Sequence, residues 1–197
     1  MSTGTPLRGL VLAGGRSSRM GSDKASLVHP DGRTLAVRCR DLLLEAGCVS
    51  VVISLRHDQQ VPFGLEHMEI VRDPEGESGG PMTGIVSGMR LDPAADWLVV
   101  ACDLPRLDRE TLSHLIASLQ PEEKFLAYRS EFDDLPEPLC TLYTHAALPL
   151  MEEALTENFR YPRKILMRHA CRLLEPVTPR ALDNANTPAD WETATTS

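Results

Sequence analysis

The stretch "LVLAGGRSSRMGSDKASL", residues 10–27, stops an apolar run at two glycines and follows it with Arg16, Arg19 and Lys24. Lacking side chains, Gly14 and Gly15 let the backbone turn sharply and bring N–H groups up to a ligand, which is how main chain cradles phosphate. The three cations against the one carboxylate of Asp23 give this loop a positive excess in a chain of formal net charge −8. A polyphosphate needs both features, although an exposed basic loop is spelled the same way. A second candidate is Asp103, directly after the apolar run "WLVVAC", where a carboxylate reaches the crevice of a parallel sheet. A hard oxygen ligand there suits Mg2+; an aspartate capping the turn before Pro105 is the open alternative.

The acidic balance narrows the partners. A chain of this charge has no field to draw in nucleic acid or an anionic membrane, so neither is expected. No apolar run reaches the roughly 18 residues a membrane helix needs, and the polar start "MSTGTPLRG" lacks the regions of a signal peptide, so a cytoplasmic location is expected. Five cysteines, an odd count with no Cys-x-x-Cys pair, read as reduced core residues. The six histidines show no zinc-ligand spacing.

The elements that must position these residues follow from periodicity. With 197 residues and 42% hydrophobic content, one domain is expected over 1–197, its core at about 7–194. "LRGLVLA" (7–13), "VSVVISL" (49–55), "MEIV" (68–71) and "DWLVVACD" (96–103) read as buried strands. "RTLAVRCRDLLLEAG" places Leu35, Cys39, Leu42, Leu43 and Ala46 on one helical face, with Gly47 to end it. "PMTGIVSGMRL" starts a helix with proline; Gly84 and Gly88, four apart, would let a neighbouring backbone come close. "LDRETLSHLIASL" is a helix capped by Asp108. Strand candidates "FLAYR" and "LCTLY" precede the helices "AALPLMEEAL" and "PRKILMRHA", and a last short helix starts after "NANTP". Strands alternating with helices imply an α/β fold, a doubly wound, mostly parallel sheet with helices on both faces and its ligand beyond the strands' carboxyl ends.

The glycine loop departs from both Gly-x-Gly-x-x-Gly and the Walker loop. Its spelling, Leu-Ala-Gly-Gly-x-Ser-x-Arg-Met-Gly-x-Asp-Lys, resembles the nucleotidyltransferase family of the molybdenum cofactor guanylyltransferases. "DPEGESGGPMTGIVSGM" (73–89), "VVACDLPRL" (99–107), "PEPLCTLY" (136–143), "RYPRKIL" (160–166) and "NANTPADW" (184–191) are similar to later family blocks and keep their order. The resemblance implies a Rossmann-like nucleotidyltransferase fold and transfer of GMP from GTP to the phosphate of molybdopterin, with pyrophosphate leaving and Mg2+ as cofactor. It implies that Lys24 neutralises the triphosphate, that Arg19 helps at the departing pyrophosphate and that Asp103 holds the metal. Leu12, Ala13, Gly14 and Gly15 would meet the nucleotide through their backbone, and Asp73 through ribose hydroxyls or a guanine N–H edge. Arg19 could equally pair with Asp23, and Asp73 could be a turn residue before Pro74.

The acceptor side is harder to read. Residues 158–174 hold five basic side chains and no acid, so Arg163 and Lys164 are candidates for docking a phosphorylated pterin; a solvated helix surface makes the same pattern. Asn184 and Asn186 could add ligands near the metal or acceptor, or simply form a turn and helix start. One departure stands out: Glu137-Pro138 occupies the place where family members often have His-Pro. A carboxylate on the acceptor side leaves acceptor identity and pH dependence open. Cytidylyl transfer to molybdopterin, nucleotidyl transfer to another small phosphorylated acceptor, and a non-catalytic escort of nucleotide or cofactor remain the alternatives. Molybdoenzymes or their chaperones are the candidate recipients of the product.

Overall fold

The computed structural model describes residues 4–15, 24–75 and 80–196. Seven strands form one sheet: β1 (Leu7–Leu12), β2 (Val51–Leu55), β3 (Glu69–Arg72), β4 (Asp96–Ala101), β5 (Phe125–Arg129), β6 (Pro136–Tyr143) and β7 (Arg172–Leu174). Their order is β3-β2-β1-β4-β6-β5-β7. All pairings are parallel except those of β6, which runs antiparallel to both β4 and β5. The helices are α1 (Leu35–Ala46), α2 (Pro81–Met89), α3 (Arg109–Ser118), α4 (Leu148–Thr156), α5 (Pro162–Arg168) and α6 (Pro188–Thr195).

Alternation along the strands divides the core in two, because successive side chains leave opposite faces of a sheet. Val11, Ile53, Leu98 and Val100 pack with Cys39, Leu42 and Leu43 of α1 and Leu112 and Leu115 of α3. Leu10, Val52, Trp97 and Val99 pack on the other face with Met82, Ile85 and Val86 of α2, Met151 of α4, and Ile165 and Leu166 of α5. This is the doubly wound, mostly parallel arrangement that the strand and helix periodicities imply. All five cysteines are free, and burial pushes the Cys39 and Cys48 thiols up to about 12.

Local chemistry sets the ends of the elements. Gly47 terminates α1 in the left-handed region, φ 114°, and the Asp108 carboxylate caps α3 by accepting the Thr111 N–H at 2.8 Å. The strand β7 has no counterpart in the periodicity reading: three residues, all half-buried, are too few to show a period. β2 begins at Val51 rather than Val49, whose side chain is exposed.

Gly84 and Gly88 of α2 do permit a close approach, but of side chains rather than of backbone. A Cβ at Gly84 would lie 2.5 Å from Ser54 Oγ, and one at Gly88 would lie 2.7 Å from Leu10 Cδ2. Leu10 is fully buried and has nowhere to move. Gly88→Ala is therefore expected to lose about 1 kcal/mol of stability, the middle of the range left when the ~1 kcal/mol that alanine gains in a helix is taken from an overpacking cost of roughly 1–3 kcal/mol. Denaturant unfolding checks this through a lower midpoint at unchanged slope; an increase in stability would show that α2 can shift away from β1.

Candidate active site

A cleft opens where β1, β2, β3 and β4 end, with roughly 540 Å³ of atom-free space including its mouth. Leu12, Ser54, Gly84 and Ala101 line it, together with Gly14, Gly15, Asp73 and Asp103. It lies at the carboxyl ends of the parallel strands, as the loops of such a sheet require.

The glycine turn after β1 is held from behind. Gln59 Nε2 donates to Ala13 O at 2.9 Å, and Arg56 Nη1 donates to Gly14 O at 2.7 Å and Gly15 O at 3.2 Å. Arg72 in turn donates to the carbonyls of Arg56, His57 and Gln59 at 2.8–3.2 Å. This layer engages the turn's carbonyls, so its orientation is set by side chains from the ends of β2 and β3. Sequence reasoning missed Arg56, Gln59 and Arg72; the one available signal was that a cation directly after a buried strand stands at its carboxyl end. The two glycines differ in what they leave open. A Cβ at Gly14 would sit 3.3 Å from the Arg56 nitrogen, whereas one at Gly15 would meet nothing within 4 Å.

Two groups far apart in the chain meet at the cleft's edge. Lys24 Nζ lies 3.0 Å from Asp103 Oδ2 and donates to Asn186 Oδ1 at 2.7 Å. The pair is mostly shielded, with side-chain exposures of 14% for Lys24 and 19% for Asp103. The Ala185 N–H donates to the Asp103 carbonyl at 3.0 Å, which docks the C-terminal segment onto the same loop. Asp103 Oδ1 is buried and has no hydrogen-bond partner among the described residues. Asp73 is buried at the end of β3, its N–H donating to Leu55 O at 3.0 Å. Arg16, Arg19 and Asp23 lie outside the described residues.

The chain has relatives among known proteins. Residues 9–174 match the MobA-like NTP transferase domain. The chain belongs to that family. It is 37% identical to the molybdenum cofactor biosynthesis bifunctional protein of Synechocystis sp. over 187 residues, covering 95% of this chain but 53% of that protein, so the chain spans about half the length of this relative. It is 34% identical to the probable molybdenum cofactor guanylyltransferase of Nostoc sp., covering 93% and 88% of the two chains. Its fold is similar to the crystal structure of molybdopterin-guanine dinucleotide biosynthesis protein A from Archaeoglobus fulgidus, with a TM-score of 0.71, 24% identity and coverage of 96% and 97%. The family named from the sequence blocks is thus the one the chain belongs to.

Within this MobA-like domain the structure brings Leu12, Gly14, Gly15, Asp73 and Asp103 to one cleft and sets Lys24 and Asn186 at Asp103. Asn186 lies beyond the matched span, so this contact comes from residues outside it. Asn184 is half-buried, and its Oδ1 has no hydrogen-bond partner among the described residues. The basic segment meets acids from other elements: Arg163 pairs with Asp133 at 2.7 Å, Arg168 with Glu157 at 2.9 Å and Arg172 with Glu123. Lys164 lies 4.8 Å from the Tyr161 ring centre instead. Three of the segment's five cations are thus paired with acids, which counting within the segment could not reveal. Among the described residues no three His, Cys, Asp or Glu side chains converge as a metal cluster.

Glu137 is almost entirely buried on β6. Its Oε1 accepts the Leu139 N–H at 3.1 Å and its Oε2 lies 3.7 Å from Arg163 Nη2. Burial pushes its pKa up; the Leu139 N–H and Arg163 oppose the shift, and the charges of Asp103 and Asp133 add to it. The folded chain thus holds this proton more tightly than the unfolded chain. Stability must fall as pH rises from the unfolded carboxyl value, roughly 4.3, through the raised folded one. Glu137→Gln, which keeps an oxygen for the Leu139 N–H, is expected to raise the melting temperature at about pH 7, at roughly 2–4 °C per kcal/mol, and to lose that advantage below about pH 4. Melting curves of both proteins across this range decide the point; a pH-independent difference would mean that the carboxyl's charge costs nothing in the fold.

Proposed function

We propose that the chain transfers GMP from GTP to the phosphate of molybdopterin, with release of pyrophosphate and dependence on Mg2+. The observation that carries the reading is the Lys24–Asp103 pair beside the glycine turn, with one Asp103 oxygen turned to the lysine and the other buried without a hydrogen-bond partner among the described residues. The names of the relatives, both concerned with the molybdenum cofactor, support the acceptor and the base.

The reaction asks for in-line attack by the acceptor's phosphate oxygen on the α-phosphorus of GTP. It needs positioning and charge neutralisation rather than a covalent enzyme intermediate. The glycine turn, held by Arg56 and Gln59, offers backbone N–H groups to the phosphates. Leu12, Ala13 and Gly14 present main chain to the base, and the Asp73 carboxylate accepts from ribose hydroxyls or the guanine N–H edge. The Lys24 ammonium, a compact point charge, meets the triphosphate, and Arg19 adds its charge at the departing pyrophosphate. The donor set fits a divalent ion: Asp103 Oδ1 is the residue atom that would hold Mg2+, an ion bound through one or two carboxylates and substrate oxygens rather than through a full protein cage. Held there, the ion would supply positive charge to offset that of the phosphates. Arg163, Lys164, Asn184 and Asn186 belong to the acceptor side of the proposal, with Arg163 also paired to Asp133. Residues 7–194 would act as one cytoplasmic nucleotidyltransferase unit that hands its product to a molybdoenzyme or its chaperone. No helix among the described residues is long and apolar enough to cross a membrane.

The test is pyrophosphate release with Mg2+, molybdopterin and each of GTP, CTP, ATP and UTP. Release with GTP is expected, and Lys24→Ala should lower kcat by about 10²–10³, the scale of losing one group that stabilises transition-state charge. Asp103→Asn should remove activity at any Mg2+ concentration. Release with CTP alone would replace the guanylyl reading with the cytidylyl one. Nucleotide binding without release would leave a non-catalytic escort.

A further inference from the structure

Residues 185–194 lie beyond the matched family span yet form a brace across the reaction centre. Three contacts tie α6 and its leading turn to the loops that carry Lys24 and Asp103. The Ala185 N–H reaches the Asp103 carbonyl. From the same loop, Arg106 donates to the carbonyls of Thr193 at 2.7 Å and Ala194 at 3.3 Å. On the other side, Trp191 meets His29, five residues after Lys24, edge-on with ring centres 6.5 Å apart. Since α6 buries none of its own residues, these contacts and its cap hold it in place.

The brace has one polar centre. A single oxygen of Asp190, Oδ2, accepts the backbone N–H of Asn186 at 3.1 Å and that of Thr187 at 2.8 Å. The Asp190 N–H donates in return to Thr187 Oγ1 at 3.2 Å, completing the capping box of α6. The Thr187 bond is the ordinary business of a helix start. The Asn186 bond reaches one residue further back, to the backbone of the residue whose side chain accepts from Lys24.

We propose that Asp190 is a positioning residue of the reaction centre: it fixes the Asn186 backbone so that the Asn186 amide oxygen holds the Lys24 ammonium beside Asp103. This rests on the proposed function only in taking Lys24 to meet the triphosphate. The Asp190 carboxyl is held below its usual range, first by its hydrogen bonds to Thr187, then by the Asn186 N–H and the Lys24 charge.

The experiment compares Asp190→Ala, Asp190→Asn, Thr187→Ala, Asn186→Ala and the double variant Asn186→Ala/Asp190→Ala in the full chain. Pyrophosphate release gives kcat and KM for GTP. Acylation by a short pulse of acetic anhydride, read by mass spectrometry, gives the accessibility of Lys24 against Lys124 and Lys164, the other two lysines. Asp190→Ala should lower kcat/KM by about tenfold, the scale of one hydrogen bond to a charged group, and speed the labelling of Lys24 alone. Asp190→Asn, which keeps an oxygen for both N–H groups, should recover most of both. The double variant should be no worse than Asn186→Ala, since the effect runs through that residue. Thr187→Ala loses the cap of α6 yet keeps the Asp190 bond to the Asn186 N–H, so it should lower thermal stability and leave Lys24 labelling unchanged. Losses that simply multiply in the double variant, or Thr187→Ala matching Asp190→Ala in labelling, would overturn the proposal. Absence of release with every nucleotide in the wild-type chain would defeat the transferase reading instead, and the labelling would still decide the role of Asp190.

Discussion

Leu12 lies opposite Ala101 in the parallel pairing of β1 with β4, and the groups of the candidate site take their places from that register. The glycine turn leaves one strand at this level and Asp103 leaves the other two residues beyond it. Because side chains alternate across a sheet, a slip by one residue would exchange Leu10 for Val11 and Val99 for Val100 between the two cores, turning each strand's packing inside out. The two apolar layers therefore lock the register, and the register aligns the loops. Lys24 and Asp103 are 79 residues apart in sequence, and their 3.0 Å contact is a consequence of core packing several residues below them.

Electrostatics then explains why the contact is guarded on all sides. In the proposed reaction, the cation that meets the triphosphate needs a partner that keeps it in place beforehand, and a mostly shielded carboxylate does this at short range. A single ion pair would leave the lysine free to swing about Asp103, since an ammonium has no preferred direction around a carboxylate. The Asn186 oxygen at 2.7 Å supplies the second point that removes this freedom. The glycine turn follows the same logic, its carbonyls being engaged by Arg56 and Gln59 while Arg72 braces those two residues from the next strand.

How much of this could be read in advance depended on how local the cause was. β1, β4 and the helices α1 and α3 were legible because a period of two or of 3.6 and a capping residue are written in a few neighbouring letters, and Asp103 was legible as the residue that follows a buried strand. The glycine–lysine loop and Asp103 could be read as one site only through the family's spelling, since nothing local links them. β7 escaped because three residues cannot declare a period, and the ion pairs of the basic run at 158–174 could not be read because its counter-charges, Glu123, Asp133 and Glu157, come from outside it. Asn186 was a candidate for the acceptor or the metal; its contact with Lys24 spans 162 residues and follows from where α6 docks.

Glu137 shows what the fold tolerates at its working end. β6 pairs with β4 so that Val100 faces Cys140, and carrying that register three residues further brings Asp103 level with Glu137. Burial pushes the Glu137 carboxyl toward its neutral form, and the nearby Asp103 charge adds to the shift. Asp103 has the Lys24 ammonium at 3.0 Å, whereas Glu137 has one backbone N–H and a guanidinium at 3.7 Å that is already committed to Asp133. The more deeply buried group is therefore the one pushed toward its neutral form, and a neutral carboxyl can donate a hydrogen bond as well as accept one. A core optimised for stability alone would place an apolar residue there. Its presence beside the candidate reaction centre fits the general pattern in which local stability is given up where a chain does its chemistry.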